Sequence, residues 1–202
     1  MPRSPGRVGR VSTLASVLSP GDLTWAELQA ARLDGDVYEL ADAYCLIGEL
    51  ESPRHRALAV LGDRSRRFIA ELGTAAWIWG AAEAPARPAF AVTPEARTRL
   101  APDRRMSVRE IVYADGDVAH LGSARVTTPL RTAIDLARMP AFDAAAADAV
   151  RRLAGLAGFD LADCRADLAR RAGIPAKRRA AERLARALGD PGAGEGQAVE
   201  TR

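Results

Sequence analysis

The feature that most restricts the fold is the run "VTTPLRTAIDLAR", from Val126 to Arg138. It starts with β-branched residues, as a strand does, and then passes through Thr128 and Pro129. Proline is favoured at the first helical position because no backbone N–H is needed there, and the Thr128 hydroxyl is placed to accept from the first free N–H groups. The apolar residues that follow recur every three or four positions and predict a buried stripe: Leu130, Ala133, Ile134 and Ala137. The run therefore predicts a strand that leads directly into a helix.

Two charged residues, Arg131 and Asp135, stand one helical turn apart beside that stripe. An arginine and an aspartate at this spacing stabilise a helix by pairing with each other. Arg138, three residues after Asp135, offers the aspartate a second partner. We therefore expect a helix-stabilising ion pair, with a buried functional carboxylate at Asp135 as the alternative.

The N-terminal part of the chain predicts a helix followed by a hairpin. Thr24 and Glu27 form a capping box, which opens a helix that runs to about Leu33 and stops at Gly35. Two β-like runs follow, "DVYEL" and "AYCLIG", and their short connection is long enough to close a hairpin. A helix followed by a hairpin is the second half of a winged helix.

The middle of the chain mixes helices and strands. We expect a helix in "SPRHRALAVL", a strand in "RRFIAEL", a short helix in "TAAWIWG" capped by Thr74, and strands in "PAFAVT", "SVREIVYA" and "DVAHLG". The last two strands are predicted to form a hairpin around Asp115 and Gly116, because Asp-Gly favours tight hairpin turns. Only helices follow Pro129, at about 129–138, 142–156, 161–172 and 176–188. The predicted fold class is α+β.

Composition excludes several classes of protein. The 202 residues, 48% of them hydrophobic, suit a globular chain, and no apolar run is long enough to span a bilayer. The first ten residues lack the hydrophobic segment of a secretory signal, so we expect a cytoplasmic location. Cys45 and Cys164 stand far apart, without companions at metal-ligand spacing, and are expected to be buried thiols. No cofactor or metal is predicted.

Residue types argue against catalysis. The only lysine, Lys177, stands in "PAKRR", which excludes both a phosphate-binding P-loop and the acidic-plus-lysine site of many nucleases. A nucleotidyltransferase would have paired aspartates after a Gly-Ser turn, whereas Asp115 and Asp117 precede it and are explained by a turn. The two histidines, His55 and His120, are expected to be structural. A hydrolase or transferase with an unrecognised site is the least favoured hypothesis.

Positive charge is concentrated near the C-terminus. Residues 151–188 hold ten basic residues against four acidic ones, which leaves +6, more than the net charge of +3 for the whole chain. On the last predicted helix Arg179, Arg183 and Arg186 share one face, and Arg178 adjoins it. Such a face is able to neutralise phosphates. The alternative is an ordinary solvated helix surface.

Four segments together resemble the AbiEi-like antitoxins of type IV toxin–antitoxin systems in their actinobacterial form: "LTWAELQAARLDGDVYEL", "RFIAELGTAAWIWG", "VTTPLRTAIDLAR" and "GIPAKRRAAERLARAL". The similarity extends from about Leu23 to Leu188. Its most specific parts are the aromatic "TAAWIWG" helix and a signature helix marked by Thr128, Pro129, Arg131 and Asp135.

The resemblance implies a winged helix at the N-terminus joined to a mixed α/β antitoxin domain with a helical C-terminal part. It also implies a function without enzymatic activity: repression of the protein's own operon by binding double-stranded operator DNA, and protection against a nucleotidyltransferase-like toxin without a stable complex. The corresponding division of the chain is a basic arm with a possible short element at 1–22, a winged-helix-like segment at 23–50, the antitoxin domain at 51–188 and a disordered tail at 189–202.

The chain departs from that family in its N-terminal region. A full winged helix has two helices before its recognition helix, and only about twenty residues precede Thr24, so the DNA-reading module is expected to be truncated. If the first helix enters a major groove, the candidate DNA contacts are Gln29 and Arg32 on the helix and Arg3, Arg7 and Arg10 on the arm. Glu27 and Asp34 oppose this placement, because phosphates repel carboxylates. The alternative is a domain of the same fold that binds protein or RNA instead of DNA, and weak salt dependence of binding would favour it.

Overall fold

The computed structural model describes residues 16–62, 64, 67–96, 104–171 and 173–189. This part of the chain has a mixed α+β fold, as predicted. Its helices are α1 (Trp25–Asp34), α2 (Pro53–Leu61), α3 (Leu72–Ile78), α4 (Pro129–Arg138), α5 (Ala144–Ala157), α6 (Leu161–Arg170) and α7 (Lys177–Leu188). Its strands are β1 (Val17–Leu18), β2 (Val37–Leu40), β3 (Ala43–Leu46), β4 (Ile69–Ala70), β5 (Ala89–Val92), β6 (Ser107–Glu110), β7 (Val118–Leu121) and β8 (Ala124–Thr127). None of the helices in the described ranges is long and apolar enough to cross a membrane.

The first sheet is antiparallel, with strand order β1-β3-β2, and α1 precedes its hairpin. The predicted capping box is confirmed, since the Thr24 side chain accepts from the Glu27 amide while the Glu27 carboxylate accepts from the Thr24 amide. The helix ends at Gly35, whose φ of +79° is a left-handed conformation that glycine adopts without strain. The predicted hairpin is also confirmed. Strand β1 pairs with β3, so this unit includes residues that lie before position 23.

The second sheet has strand order β6-β5-β4-β8-β7 and contains both parallel and antiparallel pairs. The predicted hairpin around Asp115 and Gly116 is wrong, because β6 pairs with β5 and β7 pairs with β8, at opposite edges of the sheet. The tight turn instead joins β7 to β8 through Gly122 and Ser123. A favourable turn dipeptide indicates a reversal of the chain, but it does not determine which strands pair.

Helix α3 begins three residues before the predicted position. Its N-cap is Glu71, and the Thr74 hydroxyl does not cap the helix. It accepts instead from the Ala89 amide at 2.7 Å, which ties α3 to strand β5. The preceding strand, predicted over "RRFIAEL", is only Ile69–Ala70, because the chain already turns at Leu72, where φ is +52°. A leucine in the left-handed region is uncommon and marks a constrained strand-to-helix turn.

Two main hydrophobic cores hold the fold together. The first joins both sheets through α2, with Cys45 of the first sheet and Phe90 of the second in one buried cluster. This core spans the predicted boundary at residue 50, while a smaller cluster of Leu18, Leu28, Val37 and Tyr44 lies wholly on the N-terminal side of that boundary. The second core is formed by α3 to α7 around Ile134, Val150 and Leu184. The four predicted C-terminal helices are confirmed, with ends shifted by two residues or fewer.

Candidate functional site

The signature helix α4 begins as the sequence predicted, directly after strand β8. Thr128 is the N-cap in extended conformation and Pro129 occupies the first turn. The Thr128 side chain makes no capping bond, so that part of the prediction is wrong. The hydroxyl of Thr132 is used instead, 2.7 Å from the Thr127 hydroxyl and 2.9 Å from the Thr128 carbonyl. These bonds fix the strand-to-helix junction from the inside of the fold.

The Arg131–Asp135 pair forms as predicted, but inside the protein. The Arg131 Nε and Nη2 atoms donate to the two oxygens of Asp135 at 2.7 and 3.1 Å. Its Nη1 donates to Asp117 Oδ2 at 2.8 Å, and its guanidinium carbon lies 5.0 Å from the ring centre of Tyr113. The Arg131 side chain is only 6% exposed. This arginine therefore bridges two buried carboxylates, which is more than a pair on a helix surface.

Asp117 extends this cluster to helix α6. It accepts from Nη1 of Arg171 at 2.8 Å and from Nη2 of the same arginine. Arg171, which directly follows α6, also donates its Nε to Asp167 at 2.5 Å. One aspartate thus joins the segment before β7 to both α4 and α6.

Glu71 forms the other end of the same cluster. Its side chain is fully buried and accepts from Nε and Nη2 of Arg109, each at 2.7 Å. The Tyr113 hydroxyl donates to it at 3.1 Å, and the Tyr113 ring lies against Arg131. The buried charge network consists of Glu71, Asp117, Arg131, Asp135, Asp167 and Arg171, with Arg109 at its edge, where the Arg109 side chain is 41% exposed. It connects strands β4 and β6 to the C-terminal helices.

Most of this network escaped the sequence-based prediction. Local sequence patterns explain Asp117 as a turn residue and predict no role for Glu71 or Arg109. The sequence signal for Glu71 is its position between two apolar runs, one that ends at Ala70 and one that begins at Leu72. A single carboxylate in such a place is buried and needs a partner. Nothing local pointed to Arg109, since its partner lies 38 residues away.

The contacts within the network shift the pKa values of several of its members towards their charged forms. Burial would raise the pKa of Asp117, but the hydrogen bonds from Arg171 and the Ala114 amide, together with the positive charges of Arg131 and Arg171, lower the pKa below its ordinary value. The pKa of Asp167 is lowered in the same way, against burial, by Arg171 and Arg170. The pKa of Arg171 is raised by its bonds to both aspartates. At neutral pH these carboxylates are ionised and already paired, which makes them poor groups for proton transfer.

A cleft of about 540 Å³ opens above the network, lined by Asp117, Thr128, Arg131, Asp167, Arg170 and Arg171. Its acidic and basic side chains contact each other across the floor of the cleft. No group of three or more potential metal ligands occurs among the residues that the structure describes. The arrangement locks α4 and α6 onto the sheet, which gives the signature residues Arg131 and Asp135 a clear structural role.

The four candidate arginines of α7 divide into two pairs. Arg183 donates to the carbonyls of Ala137 and Pro140 at 3.1 Å, and its guanidinium carbon lies 5.1 Å from the Phe142 ring centre. Arg179 donates to the Arg138 carbonyl at 3.1 Å. These two arginines satisfy free carbonyls at the C-terminal end of α4, where a positive charge is favourable.

Arg178 and Arg186 face solvent instead. The Arg178 side chain is 95% exposed and makes only a surface contact, 3.2 Å from Glu182. Arg186 is also exposed, with a weak bond to the Glu182 carbonyl at 3.4 Å. The basic pole is our name for the exposed arginines of the C-terminal helices other than Arg179: Arg151, Arg152, Arg165, Arg170, Arg178 and Arg186. Among them, Arg151 pairs with Asp148 and Arg170 pairs with Asp167.

Helix α1, the predicted DNA-contacting helix, lies in an acidic part of the chain, and its candidate side chains already have partners. The Gln29 amide donates to the Tyr44 hydroxyl at 2.8 Å, and Arg32 stands 4.0 Å from Glu39, so both side chains have partners within this unit. Residues 16–50 contain seven acidic residues and one basic residue, a net charge of −6. Arg3, Arg7 and Arg10, the predicted arm, lie outside the described residues. Gln29 and Arg32 lie in a different part of the fold from the arginines of α7.

Comparisons with known proteins are sparse. No protein-family model matches this chain, and no curated protein does either. Among solved structures, the chain is similar to the crystal structure of the RV2827C protein from Mycobacterium tuberculosis, with 21% sequence identity, 88% of this chain and 74% of that chain covered, and a TM-score of 0.47. A TM-score of this size at such low identity says nothing about shared function.

Proposed function

We propose that the protein is an antitoxin of a type IV toxin–antitoxin system. In this role it binds double-stranded operator DNA to repress its own operon, and it counteracts a nucleotidyltransferase-like toxin in the cytoplasm without catalysis of its own. The proposal is supported by the resemblance in the signature helix and by one observation about the surface. That observation is the exposure of at least six arginines on α5, α6 and α7, which form the basic pole.

The basic pole is the part of the described surface best suited to phosphates. Arg178 and Arg186 have exposed guanidinium groups with at most weak partners, and ionised donors of this kind form strong contacts to phosphate oxygens. Arg179 and Arg183 are assigned a structural role instead, because they already donate to the end of α4. We therefore assign the phosphate contacts on α7 to Arg178 and Arg186.

Helix α1 is less suited to a major groove than the resemblance implies. A helix that enters the groove passes between two phosphate backbones, and a unit with a charge of −6 is repelled there. We retain Gln29 and Arg32 as candidates for base contacts only in combination with positive charge from Arg3, Arg7 and Arg10.

The test is fluorescence anisotropy with a duplex from immediately upstream of the gene and a scrambled duplex, in a salt series. We expect tighter binding to the native duplex by about tenfold or more, as for specific readers. The double variant Arg178→Gln with Arg186→Gln is expected to weaken binding to both duplexes and to lower the salt slope by about 2, since each phosphate contact contributes about 0.9. Arg32→Gln removes one positive charge from α1, outside the basic pole, and is the control for non-specific binding to the scrambled duplex.

Two outcomes would contradict this proposal. Wild-type protein that binds neither duplex at moderate salt is not a DNA-binding regulator. If the double variant keeps the wild-type salt slope, the phosphate contacts lie outside the basic pole.

A second function is supported by the first sheet and α1. This unit is acidic and carries exposed apolar side chains, Trp25 at 64% and Leu33 at 82% exposure, which suit a protein partner better than a nucleic acid. In that case the protein is an interaction domain of the same fold. Absence of salt-dependent DNA binding would favour this alternative.

A further inference from the structure

We propose that an acidic face on the N-terminal unit of one copy binds the basic pole of a second copy of this chain. The acidic face consists of Leu33, Asp34, Asp36, Ile47, Glu49 and Leu50. Its residues come from the end of α1 and from the segment that follows β3. The proposal concerns self-association and does not depend on the proposed function.

Main-chain hydrogen bonds bring the two segments of the acidic face together. The Asp36 amide donates to the Ala31 carbonyl in α1 at 2.9 Å, and the Asp36 carbonyl accepts from the Ile47 amide at 3.1 Å. The chain that leaves β3 therefore runs beside the end of α1. Leu33 and Ile47 lie at the same end of the unit for this reason, each next to acidic residues in the chain.

The apolar side chains of this face are unusually exposed. Leu33 is 82%, Ile47 56% and Leu50 92% exposed. In the described part of the chain six large hydrophobic side chains are exposed, and four of them lie within residues 16–50. Single exposed leucines are common, but this concentration in a small unit is typical of a contact surface.

The basic pole offers a surface of matching chemistry. A hollow of about 600 Å³ lies between the turn that joins α5 to α6 and the end of α7, lined in part by Ala154, Phe159, Leu161 and Leu188. Asp160 and Arg165 also line it. Arg165 also lines a neighbouring groove with Arg178, so the hollow adjoins these two arginines of the basic pole. Exposed aliphatic side chains fit such a hollow, while the surrounding arginines pair with the carboxylates of the acidic face.

The opposite charges of the acidic face and the basic pole favour a second copy of the chain as the binding partner. The acidic face has exposed carboxylates at Asp34 and Asp36, and the basic pole has exposed guanidinium groups at Arg178 and Arg186, so each copy presents both halves of the contact. A twofold symmetric dimer through the acidic face would bring like charges together, which is unfavourable. The contact is therefore head-to-tail, and contacts of this type build rings or open chains.

The experiment is sedimentation velocity on the full chain without DNA, from about 1 to 100 µM protein, at about 0.05 M and 0.5 M salt. We expect the weight-average sedimentation coefficient to rise with concentration at low salt and to stay at the monomer value at high salt. A monomer at every concentration at low salt would overturn the proposal. Association that is insensitive to salt would overturn it as well.

Charge-exchange variants give the sharper test. Asp34→Lys with Asp36→Lys reverses the acidic face, and Arg178→Glu with Arg186→Glu reverses the basic pole; all four side chains are exposed, so circular dichroism and thermal unfolding should show a retained fold. Each variant alone is expected to lose association by about tenfold or more, and an equimolar mixture of the two is expected to associate again. A mixture that stays monomeric would refute the specific contact.

A variant of the acidic face and a control variant elsewhere test the apolar part of the contact. Leu33→Asn with Leu50→Asn removes exposed side chains from the acidic face, whereas Val112→Asn removes a side chain of similar exposure, 77%, elsewhere. We expect weaker association for the first variant and wild-type association for the second. Equal effects of the two would contradict the assignment of the face.

Discussion

Replacement of Asp117 by asparagine tests the buried charge network most directly. The Asp117 side chain is 4% exposed and accepts from the guanidinium groups of Arg131 and Arg171 and from the Ala114 amide. Asparagine keeps the shape but removes the negative charge and presents N–H groups towards donors. Loss of one member of a buried ion pair costs about 3 to 5 kcal/mol. Because Arg131 keeps Asp135 and Arg171 keeps Asp167, we expect the lower end, a loss of about 3 kcal/mol in the free energy of unfolding.

The pH dependence of this loss follows from the direction of the Asp117 pKa. The pKa is lower in the folded than in the unfolded protein, so the carboxylate contributes stability that is fully present above the unfolded value, about 3.9. That stability is lost as the pH falls through the folded pKa. Asparagine does not titrate, so the difference between wild type and variant should be full at pH 7 and should shrink below about pH 4.

The measurement is urea unfolding of wild type, Asp117→Asn and the control Asp115→Asn at several pH values. Asp115 is exposed in the same turn, and its replacement should change stability by less than about 0.5 kcal/mol. An Asp117 variant as stable as this control at pH 7, with an unchanged denaturant slope, would refute the view that the network holds α4 and α6 together. A stability difference that did not vary with acid pH would attribute the loss to packing instead of charge.

Three further experiments test other parts of the structure. Arg183→Ala is expected to cost about 2 kcal/mol in denaturant unfolding, because it removes charged donors from the end of α4, whereas Arg186→Ala should stay within about 0.5 kcal/mol; equal losses would contradict the different roles of these arginines. Thr74→Val should cost about 2 kcal/mol by the same assay, since it leaves a buried amide of β5 without an acceptor, and an unchanged stability would show that this bond contributes little. Burial raises the pKa of Cys164 to about 12 and also raises the pKa of Cys45. We therefore expect neither thiol to react with a thiol reagent at pH 8 until the protein is denatured. Rapid labelling of the native protein would contradict the burial of these thiols.

The elements that sequence patterns predicted correctly depend on neighbouring residues. The capping box of α1 involves residues three positions apart, and Pro129 acts on its own helical turn, so both signals are complete within a few letters of sequence. The helices after Pro129 are also local, because glycine, proline and apolar spacing define their ends. Nothing elsewhere in the chain needs to be known for these predictions.

The errors concern partners that are distant in sequence. Strand β6 joins β5 because of the order of the whole sheet, and the Asp-Gly turn after it carries no information on that order. Capping is the usual local role of a threonine at the start of a helix, but the Thr74 hydroxyl accepts from an amide 15 residues away. Helical spacing groups Arg179, Arg183 and Arg186 on one side of α7, and only the packing of α7 against α4 shows that Arg179 and Arg183 are occupied while Arg186 faces solvent.

The basic pole is assigned two partners, operator DNA and the acidic face of a second copy. Carboxylates and phosphate oxygens accept from the same guanidinium donors, so one pole cannot hold both partners at once. Thermodynamic linkage then requires each partner to weaken the other by the same factor. A short operator duplex added in a sedimentation experiment should therefore dissociate the assembly into DNA-bound monomers, and high protein concentration should weaken DNA binding. A duplex that binds the intact assembly would place the two contacts on different surfaces, and the arginines of α7 would then belong to only one of them.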